Sequence, residues 1–247
     1  MMLISKKQKV IKNPKREKIP NSGRRKKKTN NGGAGQQLTS AFLAGLDVSS
    51  FQQTIDWTKV GASGISFAYI KATEGVTIQD PFFASNRANA KAAGLIVGAY
   101  HLFRPKTAGQ AQIANFVSTV GKVESGELPP VLDIEVPSDW TAFSTAARIQ
   151  LVKDWLTAVE AALGVRPLIY INNSDAQTLL NNDPSFAAYE LFVAFPTSAS
   201  VPVFPLPWTN WTFWQYSWTG TVNGISDPCD LDYFQGTLND IKKLLKA

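Results

Sequence analysis

PPVLDIEVP, residues 129–137, is the stretch on which the reading of this chain turns. Prolines bracket a short apolar run, and inside it stand Asp133 and Glu135. Side chains alternate faces along a strand, so these two acids point one way while Leu132, Ile134 and Val136 point the other. If helices cover the apolar face and a barrel lumen receives the other, both acids lie inside. Being late in the strand puts them at the C-terminal mouth, where β/α barrels keep their reactive groups.

The flanking sequence supports a barrel. Strand-like runs are expected at Ala44–Ser49, Ile65–Ala72, Leu95–Phe103, Val131–Val136, Pro167–Ile171, Tyr189–Phe195, Trp211–Trp218 and Asp230–Phe234. Helical spacing is clearest over Phe143–Leu163, where Leu151, Val152, Trp155, Leu156, Val159 and Leu163 recur on one face before Gly164. Shorter helices are expected at Phe82–Ala93, Thr107–Val120, Ser174–Leu180 and Thr237–Leu245. Alternating strands and helices imply a largely parallel sheet with right-handed crossovers. The later helices look short or missing, which predicts an α/β fold in the form of a modified TIM-like barrel with fewer helices than strands. A doubly wound open sheet competes, but no Gly-rich phosphate loop joins a strand to a helix.

Two like charges close together raise each other's cost of ionisation, and partial burial adds to it. A protonated carboxyl beside a carboxylate is the pairing that glycosidic cleavage uses. An Asp-x-Glu can equally hold Mg²⁺, or pair with Lys71 or Arg104 as a structural ion pair. Acids at other strand ends add weight to the catalytic reading. Asp47 ends the first strand, and Asp230 and Asp232 mark the last. His101 is the single histidine, so an imidazole metal site is disfavoured, and so is a Ser-His-Asp triad. A hydrogen-bonded barrel residue is the plainer reading of His101. The late aromatics include Trp214, Tyr216 and Trp218 on one strand face. Of these, Trp214 and Tyr216 are expected near the mouth, with Trp211 and Phe213 in the core. Cys229 is the lone cysteine, excludes an intrachain disulfide, and reads as a packing residue.

Charge divides the chain. Residues 1–30 hold twelve basic residues against one acid, Glu17, while the whole chain is only +6, so the rest is net negative. The expected organisation is a disordered basic tail at 1–30, a flexible linker at 31–43 and a barrel at 44–247. The acidic balance of the barrel argues against a nucleic-acid face there; the tail itself could attract anionic envelope polymers or nucleic acid. No run is long and apolar enough to span a bilayer, and no secretory h-region follows the basic start. A monomer is expected.

Several segments taken in order resemble glycoside hydrolase family 25, the Chalaropsis-type lysozymes. They are GLDVSSFQQTIDW (45–57), FAYIKATEG (67–75), DPFFASNRANAKAAGLIVGAYH (80–101), LDIE (132–135), FWQYS (213–217) and DLDYFQG (230–236). The resemblance implies a barrel that hydrolyses the β-1,4 bond between N-acetylmuramic acid and N-acetylglucosamine in bacterial peptidoglycan, outside the cell or in the periplasm, with no cofactor and no metal. It implies Glu135 as general acid, Asp133 as its paired carboxylate, and Asp47 and Asp230 as further active-site acids. It sets Tyr100, His101, Lys71, Glu74, Trp214 and Tyr216 along the cleft. Gln53 stands where many members have Gly, Leu102 separates the Tyr-His pair from Phe103, and Pro228-Cys229 precedes Asp230. Asp230 and Asp232 share strand parity and can both face inward; Asp230 is the better match. A non-catalytic peptidoglycan-binding module on the same scaffold is the alternative.

Overall fold

A computed structural model describes residues 42–107 and 109–247. The basic tail expected at 1–30 and the linker up to residue 41 lie outside these residues. Nine strands are described: β1 (Phe42–Val48), β2 (Phe67–Glu74), β3 (Ile78–Gln79), β4 (Ile96–Leu102), β5 (Val131–Asp133), β6 (Leu168–Asn172), β7 (Leu191–Ala194), β8 (Phe213–Gly220) and β9 (Cys229–Gln235). The helices are α1 (Trp57–Ala62), α2 (Phe83–Ala92), α3 (Gly109–Val120), α4 (Thr145–Leu163), α5 (Asn173–Leu180) and α6 (Leu238–Ile241). No helix among the described residues is long and apolar enough to cross a membrane.

The sheet runs β1-β9-β8-β7-β6-β5-β4-β2, and a β1–β2 pairing closes it into an eight-stranded barrel, with β3 as a short hairpin partner of β2. Pairing is parallel from β1 through β2, β4, β5, β6 and β7 to β8. β9 is antiparallel to both of its neighbours. The helices thin out toward the end of the chain: no α-helix separates β7 from β8, and β8 returns directly to β9. The modified barrel with fewer helices than strands is therefore the observed fold.

Two apolar layers follow from the period-2 alternation. The lumen is filled by one or two residues per strand: Phe67 and Tyr69 of β2, Val131 of β5, Leu168 of β6, Phe192 of β7, Phe213 of β8 and Phe234 of β9. Gly45 of β1 and Gly98 of β4 make this filling possible. A Cβ on Gly45 would sit 2.2 Å from the Phe67 ring, and one on Gly98 would sit 2.3 Å from Tyr69. Ile241 of α6, with Leu244 and Leu245 behind it, belongs to the same cluster at the end of the lumen away from the acids. The second, larger layer lies between the barrel and its helices and takes in Leu132, Ile134, Val152, Trp155 and Val159. Full burial of a large apolar side chain contributes about 1.5–3 kcal/mol, so these layers carry most of the stability.

Local signals set the ends of the elements. Ser144 caps α4, accepting from the Ala147 N–H at 3.3 Å, and Gly164 closes that helix at φ +67°. Asn172 caps α5 at its Asp175 N–H, 2.9 Å away. β1 opens at Phe42, two residues before the expected boundary at Ala44. β5 is shorter than expected: it ends at Asp133, because Val136 takes a left-handed conformation at φ +58° ahead of a 3₁₀ turn at Pro137–Asp139. A β-branched residue there carries backbone strain. Gln53, standing where Gly is common in the resembled family, is likewise at φ +53°.

Candidate active site

Strand ends bring four acids to one mouth. Asp47 is the penultimate residue of β1, Asp133 closes β5, Glu135 follows two residues on, and Asp230 sits at the start of β9. The reversed direction of β9 is what admits Asp230. In an antiparallel strand the N-terminal end lies at the mouth, and Asp230 is directly paired with Asp47. Asp232 sits one layer lower on the same face, paired with Gly45 and Gln215. Both acids of the last strand therefore face inward.

The electrostatics match this crowding. The Asp47 carboxyl is pushed well above the usual carboxylate range by burial, then by Asp230; a Gln215 hydrogen bond works the other way and Glu135 adds to the rise. Asp133 is pushed up by burial, then by Glu135 and Asp47, while Lys71 and Arg104 pull it down less strongly. Burial, then Asp47 and Asp230, raise Asp232, and no group acts to lower it. Asp47, Asp133 and Asp232 thus retain protons at pH values where isolated carboxyls have lost them. Asp133 is 9 % exposed, and its Oδ1 has no hydrogen-bond partner among the described residues. Glu135 is less covered than Asp133. Tyr100 and Tyr170 border the acids, and burial plus the surrounding carboxylates hold both phenols well above their ordinary range, leaving neutral O–H donors.

Glu135 is held through its backbone. The indole N–H of Trp140 donates to the Glu135 carbonyl at 3.0 Å. Trp140 is fully buried and stacks on Phe103 with centroids 5.5 Å apart. The adjoining turn is tied by Asp139, which accepts from Arg104 Nη1 and from Lys106, each at 3.0 Å. Arg104 also donates to Glu74 Oε1 at 2.9 and 2.6 Å, and Lys71 bonds Glu74 Oε2 at 2.7 Å. Burial works to raise Glu74, but the Lys71 and Arg104 bonds outweigh it and hold the carboxylate below its ordinary range. Lys71 and Glu74 therefore stand at the rim as an ion network bracing the Glu135 loop.

Gln215 joins the other side of the mouth. Its amide N–H donates to Asp47 Oδ2 at 2.7 Å and to Asp230 Oδ2 at 3.4 Å. Its carbonyl accepts from Tyr170 O–H and from the Trp218 indole N–H, both at 2.7 Å. Sequence reasoning missed Gln215, Tyr170 and Trp218 as site residues. Gln215 was detectable as the one amide in an aromatic strand with Phe213's parity. Trp218 was not, because a bulge between Gln215 and Ser217 switches the face.

Three expected cleft residues lie elsewhere. His101 is 0 % exposed on the face of β4 opposite Tyr100, beneath α3 and α4. It bonds Thr73 Oγ1 at 2.7 Å and Gln112 Oε1 at 3.2 Å, and stacks on Trp155. Burial lowers it to about 4, so it is a neutral packing residue. Trp214 and Tyr216 have the parity opposite to Phe213 and Gln215. Trp214 is buried in the outer layer, donating to the Phe195 carbonyl at 2.8 Å, and Tyr216 stacks on Tyr233 at 4.2 Å. The lumen side of β8 was taken by Phe213, so its neighbours had to point outward. Cys229 is buried as expected.

Comparison with known proteins gives a consistent picture. The family model described as "Glycosyl hydrolases family 25" matches residues 46–225. Lysozyme M1 of Streptomyces globisporus is 39% identical over 199 residues, covering 78% of this chain and 68% of that protein. The N,O-diacetylmuramidase of Chalaropsis sp. is 30% identical over 212 residues, 81% of this chain and 97% of that one. The crystal structure of the bacterial lysozyme from Streptomyces coelicolor is 38% identical with a TM-score of 0.78, covering 82% of this chain and 96% of that one.

Proposed function

This chain belongs to glycosyl hydrolase family 25 and is a glycoside hydrolase, and from that premise we propose that it cleaves the β-1,4 bond between N-acetylmuramic acid and N-acetylglucosamine in bacterial peptidoglycan. The observation that carries the reading is the convergence of Asp47, Asp133, Glu135 and Asp230 on one barrel mouth, with the proton affinities of Asp47 and Asp133 raised by burial and by their acidic neighbours.

In this mechanism the glycan lies across the mouth. Glu135, the less covered member of the Asp133–Glu135 pair, gives its proton to the glycosidic oxygen as the bond to the anomeric carbon breaks. Asp133 and Asp47 present their carboxyl oxygens to the positive charge that develops on the sugar ring, as dipoles while protonated and as full charges once ionised. The unpartnered Oδ1 of Asp133 suits the acetamido N–H of the substrate. Water then attacks the anomeric carbon, and its proton returns to Glu135. Tyr100 supplies a neutral donor that orients a ring hydroxyl, while Tyr170 keeps its proton on Gln215 and holds that amide in place.

The test is clearing of a bacterial wall suspension by wild type and Glu135→Gln, with mass analysis of the digest. Wild type clears the suspension and releases fragments with muramic acid at the reducing end, and the variant does not. A variant that clears at the wild-type rate removes Glu135 from its role. Binding without clearing by wild type favours a non-catalytic wall-binding module.

A further inference from the structure

Trp218 differs from every other tryptophan of the chain. The other six are 6 % exposed or less, while Trp218 is 48 % exposed. Indole is costly to leave in water and is usually at least half covered. Trp218 nevertheless is not loose. The bulge in β8 turns it to the mouth side, and its indole N–H is fixed on Gln215 Oε1 at 2.7 Å. Gln215 is itself 2 % exposed and fully engaged: its two donors face Asp47 and Asp230, and its oxygen also accepts from Tyr170. The edge of the indole is therefore pinned one residue away from the acids while the rest of the ring is open to solvent.

We propose that the open face of Trp218 is a stacking platform for a neutral N-acetylated pyranose of the glycan, set at a fixed height relative to Asp47 and Asp230 by Gln215. This rests on the glycan-cleaving reading above. The C–H bonds on one face of a pyranose complement the electron-rich face of an indole. The nearby acids repel an anionic ligand, so an uncharged sugar fits better than a phosphate or a free carboxylate. The buried amide ties substrate seating to the acid pair: a ring resting on Trp218 meets a platform whose position is shared with the groups that act on it.

The experiment uses the full chain with Trp218→Ala and Trp218→Phe. Binding of an N-acetylglucosamine oligomer is measured by calorimetry, and wall hydrolysis kinetics are measured alongside. The dissociation constant is expected to rise roughly tenfold in Trp218→Ala, with Trp218→Phe between, because a phenyl face keeps part of the stacking. The loss falls on KM more than on kcat. An ¹⁵N indole resonance assigned to Trp218 in wild type, shifting on titration, gives the same answer without any variant. A dissociation constant within twofold of wild type in Trp218→Ala, or a silent indole resonance at saturation, overturns the proposal. Equal losses in the Ala and Phe variants also overturn it, since they assign the effect to the Gln215 bond and not to the ring face. Wild type that neither binds the oligomer nor clears walls removes the glycan-cleaving reading and this one with it. Active wild type with an indifferent variant removes this one alone.

Discussion

Replacing Asp232 with asparagine takes away a carboxyl that the barrel holds at a cost. Asp232 is 0 % exposed, and neither of its oxygens has a hydrogen-bond partner among the described residues. Opposite it on β1 is Gly45, whose missing side chain is replaced by the Phe67 ring, which offers no donor. Burial, Asp47 and Asp230 all favour its protonated form. The sign follows from proton counts. In the unfolded chain Asp232 ionises near its ordinary value of about 3.9, whereas the folded chain keeps the proton to higher pH. Folding therefore binds a proton, and stability falls as pH rises through the interval between the two values. The slope is about 1.4 kcal/mol for each pH unit over which only the folded state is protonated. Asparagine has no such slope. For a domain of this size about 1 kcal/mol moves Tm by roughly 2–4 °C, so the variant gains roughly 3–5 °C on wild type per pH unit in that window. A buried amide without partners imposes its own offset of about 1–3 kcal/mol, but that offset does not change with pH. Scanning calorimetry of both proteins from pH 4 to 8 at constant ionic strength reads the difference. A Tm difference that stays flat across the range refutes the reasoning, because it means that Asp232 is ionised in the folded state at no cost.

Two further outcomes are expected. His101 is lowered to about 4 by burial. The stability it contributes as a neutral side chain is complete above about 6.5 and is lost as pH falls toward 4, a total of about 3 kcal/mol. Urea unfolding at pH 7 and pH 4 should therefore show wild type losing about that much more than His101→Gln, and equal losses contradict the neutral assignment. Trp140→Phe removes the donor to the Glu135 carbonyl while keeping a ring against Phe103. Its kcat should fall roughly ten- to hundred-fold through displacement of Glu135, with KM little changed. A stability loss without any kcat loss restricts Trp140 to packing.

What the chain settles locally could be read from the sequence alone. Period-2 alternation with Pro and Gly punctuation identified eight strands, because that pattern reports which face of each strand avoids water. It also fixed Asp47, Asp133 and Asp230 at strand ends, since position needs no knowledge of neighbours, whereas Glu135 lies beyond the end of β5, where strand parity no longer sets its direction. Tertiary structure decided everything that depends on which surface a face meets. Alternation along β8 separates Trp214 and Tyr216 from Phe213 and Gln215 but does not say which pair enters the lumen. That choice was made by the space beside Gly45 and Gly98, which the rings of Phe67 and Tyr69 occupy with Phe213 against them. His101 was sent under α3 and α4 because Tyr100, its neighbour, took the lumen side. The reversal of β9 and the bulge of β8 come from hydrogen-bond pairing between segments far apart in the chain. Asp230 is opposite Asp47, and Trp218 reaches the amide that bonds both, because of pairings that no single strand encodes.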